Sequence, residues 1–207
     1  VNAFMTLETT RNKTIAFFDF DGTLTKKDTL LGFIINSFSP YEIIKAVIFL
    51  SPVLLKFLFK IENNSISKEK IFCYFFRGLS EEKMLSMGAN YALKKLPKII
   101  RPMALDKIRW HKKHGHEVVI VTASTKYWIE PWAKKYSVKL IATELENINN
   151  MFTGRYKGLN CHGKEKVQKI SREYDLNIFD IIYAYGDSSG DKQMLELADH
   201  CFYQPFR

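Results

Sequence analysis

Short, nearly unbroken apolar runs recur along this chain, separated by longer stretches whose apolar positions come every three or four residues. The short runs at 15–18, 118–121, 139–143 and 181–185 have the length of buried strands, and 201–203 reads as a last short one. The longer stretches predict helices over 126–136, 164–174 and 194–198, with Val167, Ile170 and Tyr174 facing inward in the second. Strands alternating with helices predict an α/β fold, a Rossmann-like parallel sheet with helices on both faces. In such sheets ligands bind outside the carboxyl ends of the strands.

Residues 29–95 interrupt this alternation and read as mostly helical. Asp28 or Thr29 is placed to cap the first of these helices, and Ser80, followed by Glu81 and Glu82, caps a later one. Ile66, Ile71, Phe72, Phe75 and Phe76 recur at helical spacing and predict core. From Ile43 to Ile61, 14 of 19 residues are apolar and only Lys45, Lys56 and Lys60 carry charge. A bilayer span needs about 20 predominantly apolar residues, and Pro52 is expected to break or kink a helix here. Two short arms, packed within their own core or laid against a membrane, are therefore expected. Phe152–Tyr156 reads as a hairpin.

Composition changes this picture little. The charge balance is +9, from 31 Lys and Arg against 22 Asp and Glu, which favours anionic ligands or surfaces. No nucleic-acid motif accompanies it, so nucleic acid is not expected as a partner. Eight of the basic residues lie between Lys94 and Lys113, as a solvated helix face or a dock for phosphate head groups. His111, His114 and His116 lack partners at metal-ligand spacing and read as surface histidines. Cys73, Cys161 and Cys201 form no paired motif; they suit packing roles in a reduced, cytoplasmic setting. The polar N-terminus lacks the apolar run of a secretion signal.

The chemistry-bearing pattern starts where the first run ends, at Asp19-Phe20-Asp21-Gly22-Thr23-Leu24-Thr25. Side chains two apart on an extended chain point to one side, so Asp19 and Asp21 share a small space at a strand's end. Gly22 allows a sharp turn just beyond them. Paired carboxylates attract a divalent cation and resist double ionisation without one.

Asp19 to Thr25 resembles the first motif of the haloacid dehalogenase superfamily of phosphohydrolases. Three further stretches follow in that superfamily's order: Val118 to Ser124, Gly163-Lys164-Glu165-Lys166, and Gly186-Asp187-Ser188-Ser189-Gly190-Asp191. The branch most resembled is subfamily IB, which contains phosphoserine phosphatase. That resemblance implies a catalytic core at 1–28 and 96–207 with a helical cap inserted at 29–95. It implies Mg2+-dependent hydrolysis of a phosphomonoester through an aspartyl-phosphate on Asp19, with Asp21 as general acid and base. The implied metal ligands are Asp19, the Asp21 carbonyl and Asp187. Thr122 and Lys166 would hold phosphate, Lys164 being the reserve lysine, while Asp191 would steady a metal-bound water or the lysine. Asp28 would either cap its helix or touch substrate. The apolar part of the cap resembles that of phosphatidylglycerophosphatase C. This points to a phospholipid or other membrane-associated phosphate and to peripheral contact with an anionic membrane, a soluble phosphometabolite such as phosphoserine being the alternative.

Overall fold

The first apolar run is buried at all five positions and forms β1 (Thr14–Phe18), the central strand of the sheet. The computed structural model describes residues 13–58 and 64–207. Parallel to β1 run β2 (Glu117–Thr125) on one side and β6 (Ile181–Gly186) on the other. β3 (Lys139–Thr143) extends the sheet beyond β2, and β7 (His200–Tyr203) extends it beyond β6, giving the order β3-β2-β1-β6-β7. The chain therefore winds one way from β1 and then returns to wind the other way. That reversal opens a crevice at the carboxyl ends of β1 and β6.

Alternate residues of β1 feed two cores. Ala16 and Phe18 pack with α5 (Pro102–Lys113) and α6 (Lys126–Tyr136), whereas Ile15 and Phe17 pack with α7 (Lys164–Glu173) and α8 (Lys192–Leu195). β2 is longer than its apolar run, with a register irregularity against β3 between Thr122 and Thr125. The sheet thus bends at a candidate phosphate-binding stretch.

Between β1 and α5 lie, among the described residues, four further α-helices: α1 (Thr29–Ser37), α2 (Pro40–Leu58), α3 (Asn64–Phe76) and α4 (Glu81–Lys94). The chain leaves the sheet at Thr25 and returns at Ile100, where the two segments bridge through Lys26 N–H to Ile99 O and Arg101 N–H to Leu24 O. Asp28 caps α1 by accepting from Leu31 N–H (3.0 Å), and Ser80 caps α4 by accepting from Lys83 N–H (3.3 Å). Phe33 of α1 stacks on Trp128 of α6 at 4.5 Å, fastening these helices to the core. Phe72 and Phe76 are fully buried, but Ile66 is half exposed, so the predicted core stripe of α3 covers only part of its apolar residues.

Pro52 does not divide the apolar segment. α2 continues through it as one helix to Leu58, and residues 59–61 of the expected second arm lie outside the described residues. Proline removes the donor for the carbonyl four residues back. Here the Ser51 hydroxyl donates to that carbonyl, Ile48 O, at 2.8 Å, which satisfies the freed acceptor. Among the described residues no helix is long and apolar enough to cross a membrane. Even so, Ile44, Val47, Ile48 and Leu55 leave an apolar stripe of α2 exposed.

The expected hairpin is displaced. β4 (Leu145–Ile148) and β5 (Met151–Tyr156) turn at Asn149 and Asn150, both at positive φ, rather than within 152–156. Gly154 lies inside β5, where its φ of +82° and its close approach to the Cys73 backbone leave no room for a side chain. Of the cysteines, Cys161 is buried, Cys73 is half-buried and Cys201 is exposed, so the packing role fails for Cys201.

His111 overturns the surface assignment as well. It is fully buried, with Nε2 against the Tyr185 hydroxyl (2.9 Å) and Nδ1 against His116 Nδ1 (2.8 Å). The basic stretch around it is only partly a solvated face. Arg101 donates to Thr25 O and Phe206 O, and Lys112 donates to Tyr136 O. Burial, reinforced by His116 and Lys107, pushes the His111 imidazole down to about 3.

The unfolded chain, with an ordinary imidazole near 6.5, takes up that proton first. The contribution of neutral His111 is therefore full above about pH 6.5 and is lost as pH falls from there toward 3. Urea unfolding of wild type and His111→Gln between pH 7.5 and 4.5 should give a smaller fall in stability with acid for the variant. Parallel curves would show that His111 does not titrate on unfolding.

Candidate active site

The sheet ladder continues one residue past β1, because Asp19 N–H donates to Tyr185 O at 2.9 Å. This fixes the Asp19 carboxylate at the crevice between β1 and β6. The chain then turns tightly, with Leu24 and Thr25 amides both donating to Phe20 O. Gly22 makes the turn at φ +87°, and a Cβ there would collide with the Asp187 carboxylate. The glycine thus lets the first and fourth motif stretches approach each other.

Lys166 projects from the first turn of α7 into the crevice and is 1% exposed. Its ammonium donates to Asp19 Oδ1 (2.5 Å), Asp191 Oδ1 (2.7 Å) and Val121 O (2.8 Å), which uses all three of its protons. Lys164, the reserve, lies exposed two residues earlier. Burial opposes the charge on Lys166, but Asp19 and Asp191 outweigh it and raise the ammonium above its ordinary range. Burial pushes Asp19 up to about 7 against the pull of Lys166.

Asp191 uses its second oxygen on the loop that carries Asp187. Oδ2 accepts from Asp187 N–H (3.1 Å), Ser188 N–H (2.9 Å) and the Ser188 hydroxyl (2.8 Å). Burial disfavours its ionisation, yet Lys166 and Ser188 together hold its carboxyl below the usual range. Asp187 is half-buried, facing the Thr23 hydroxyl (3.4 Å) and paired with Arg207. Burial and the Asp191 charge raise its carboxyl despite Arg207.

Oxygens of Asp19, Asp187 and Asp191 lie within 4.8 Å of one another. Hard carboxylate oxygens suit Mg2+. Asp191 is held on both oxygens by Lys166 and the Ser188 loop, and Asp187 by Thr23 and Arg207, while Asp19 bonds Lys166 through Oδ1. The Asp21 side chain does not join this group. It turns to Thr29 N–H (2.7 Å) and the Ser124 hydroxyl (2.5 Å), while its backbone stays beside the crevice. Burial, then the neighbouring Asp28 charge, raises the Asp21 carboxyl against Lys68, Ser124 and Thr29. Thr122 is fully buried, and its hydroxyl accepts from Ser124 N–H at 3.0 Å.

Three participants escaped the sequence reading. Ser124 sat within a quoted motif, but nothing in the sequence tied its hydroxyl to Asp21. Thr29 was read as a cap candidate; its hydroxyl instead meets Ser124 (3.0 Å) and accepts from Trp128 Nε1–H (3.1 Å). Lys68, one of two lysines on α3, reaches across to donate to Ala123 O at 3.0 Å. Only the folding of α3 over the sheet edge brings it there.

The chain belongs to the haloacid dehalogenase-like hydrolases, whose family model matches residues 16–196. It is 32% identical over 205 residues to Protein CicA of Caulobacter vibrioides, covering 98% of this chain and 91% of that protein. A solved protein of unknown function from Bordetella pertussis shares the fold with a TM-score of 0.79 at 21% identity, over 92% of this chain and 89% of that one. A phospho-aspartyl intermediate analogue of phosphoserine phosphatase aligns with a TM-score of 0.65 at 17% identity, over 92% and 85% of the two chains.

Removing Lys166 leaves two buried carboxylates facing each other. Lys166→Met should therefore destabilise the fold by about 3–5 kcal/mol. Lys166→Met/Asp191→Asn should recover part of that loss, because one carboxylate is neutralised. Urea denaturation with EDTA present measures both, and a single variant as stable as wild type would contradict the buried triad.

Proposed function

We propose that this haloacid dehalogenase-like hydrolase is a Mg2+-dependent phosphomonoesterase that works through an aspartyl-phosphate on Asp19 and acts on a lipid or membrane-associated phosphate. The observation that carries the phosphatase reading is the Asp19 carboxylate at the sheet's carboxyl edge, bonded to Lys166 and within 4.8 Å of Asp187. A phosphate monoester is anionic and hydrolyses slowly, so a site must offset its charge and present an in-line nucleophile. An Asp19 oxygen attacks phosphorus, and the P–O bond to the leaving group breaks with its electron pair going to that oxygen. Asp21, in its raised, protonated form, gives the leaving oxygen a proton. It then takes one from the water that hydrolyses the acyl phosphate.

Lys166 and the Thr122 hydroxyl supply positive charge and a donor for the phosphoryl oxygens. Asp191 positions Lys166 and the Asp187 loop. Asp19, Asp187 and the Asp21 carbonyl would hold Mg2+, which supplies charge neutralisation to the phosphoryl group when bound. The helical segment at 29–95 acts as the cap over this site.

The lipid reading rests on the exposed apolar stripe of α2, where Ile48 is 69% exposed, and on Leu31 and Ile35, exposed one turn apart on α1. An apolar face of this kind favours a membrane interface, with Lys45 beside it toward anionic head groups. On this reading the enzyme works at the inner face of the cytoplasmic membrane on a phosphatidylglycerophosphate-like substrate. The alternative is a small soluble substrate such as phosphoserine. Its support is the opposite charges of Asp28 and Lys68 near Asp21, which match an amino acid's ends.

Asp19→Asn should abolish Mg2+-dependent release of phosphate from aryl and lipid monoesters, and Asp21→Asn should lower it by about 10²–10⁴-fold. Unchanged turnover of purified Asp19→Asn would refute the mechanism. A panel including phosphatidylglycerophosphate and phosphoserine separates the two substrate readings.

Wild type should sediment with anionic vesicles, and Ile44→Asp/Ile48→Asp should remain in the supernatant. Wild type left in the supernatant at low salt would favour the soluble substrate.

A further inference from the structure

Two depressions flank the first turns of α3 and share residues. The first, of about 420 Å³, opens beside His162 and Asn160 and is bounded by Ile66 and Glu69. The second, of about 790 Å³, lies between α2 and α3 and is bounded by the same Ile66 and Glu69. They adjoin at Ile66 and Glu69, which border both. The first lies beside the active site: the His162 ring packs against Gly190, the residue before Asp191. The second has an apolar wall of Phe49, Leu50, Val53 and Tyr74, with the Phe49 and Tyr74 rings 5.5 Å apart. Arg77 and Arg155, both exposed, stand at its rim.

We propose that the two depressions act as one groove that binds the hydrocarbon chain of an anionic amphiphile whose phosphomonoester sits at Asp19. The proposal rests on the phosphatase reading and deepens it, because the tail, rather than a membrane surface alone, then selects the substrate. The order of chemistry supports it. The Asp19 site lies past His162, apolar walls follow beyond Ile66, and Arg77 and Arg155 stand at the outer rim, where they attract an anionic amphiphile and repel a cationic one. Each depression by itself falls within the range of about 300–1,000 Å³ usual for ligand sites. Phe49 is 72% exposed, an arrangement that a bound chain would relieve.

The test titrates non-hydrolysable alkylphosphonates, butyl to decyl, into the protein below their aggregation concentrations, at low and high salt. Binding should tighten by about fourfold for each methylene that enters the groove, the equivalent of ~0.8 kcal/mol. Salt should weaken every member of the series and leave this dependence on length unchanged. Ile66→Trp, which narrows the junction, and Val53→Asp, which charges the wall, should each flatten the dependence. They lie on different helices, so a fold defect in one leaves the other informative.

No dependence on length in wild type overturns the proposal. A dependence unchanged in both folded variants overturns it too, because the chain would then bind elsewhere, such as on the outer face of α2. Hydrolysis of butyl phosphate is measured alongside. Its absence with Mg2+ refutes the phosphatase reading, while the phosphonate series still reports on the groove.

Discussion

Lys166, held between Asp19 and Asp191 with no access to water, is the contact around which the sheet's carboxyl edge is arranged. Each of these charges alone would cost several kcal/mol to bury. Together they are tolerated because every proton of the ammonium has an acceptor, the third being Val121 O. The four groups come from the end of β1, the middle of β2, the start of α7 and the segment after β6. Bringing them together fixes the relative positions of all four elements. The two carboxylates exceed the one ammonium, and Asp187 adds a further acid within 4.8 Å. An edge with surplus negative charge gains from a cation, and a cation there gains from an anionic phosphoryl group.

The inserted helices are tied to that edge by a second chain of bonds. The Thr29 amide holds one oxygen of Asp21, and Ser124 holds the other while also meeting the Thr29 hydroxyl. Trp128 donates to that same hydroxyl and stacks on Phe33. Packing between α1 and α6 thus sets the orientation of a carboxylate in the crevice. Lys68 links α3 to the sheet edge in the same way, so the inserted helices and the acids form one electrostatic unit.

Some of this was legible along the chain because it depends on neighbours in sequence. The five strands of the sheet, the helix at 126–136 and the caps at Asp28 and Ser80 follow from local period and side-chain reach. The turn at Asn149 and Asn150 was equally local, since asparagine tolerates positive φ, but Gly154 drew the hairpin to the wrong place. Its glycine serves a close approach to Cys73, eighty residues away in sequence. Pro52 misled for a related reason. Proline disrupts a helix by freeing a carbonyl, and the hydroxyl of the preceding residue satisfies it.

By itself the sequence determined the parallel α/β order and the acids that end its strands. Strand period and glycine conformation are properties of a few adjacent residues, whereas the expected pairing of the Asp19 and Asp21 carboxylates gave way to bonds from Thr29 and Ser124. Tertiary structure alone decided which lysine enters the crevice and that Asp191 serves it. It also buried His111, turned the Asp21 carboxylate toward Ser124, and carried Lys68 to the sheet edge. Each depends on desolvation or on contact between residues far apart in the chain, and neither is encoded in local spacing.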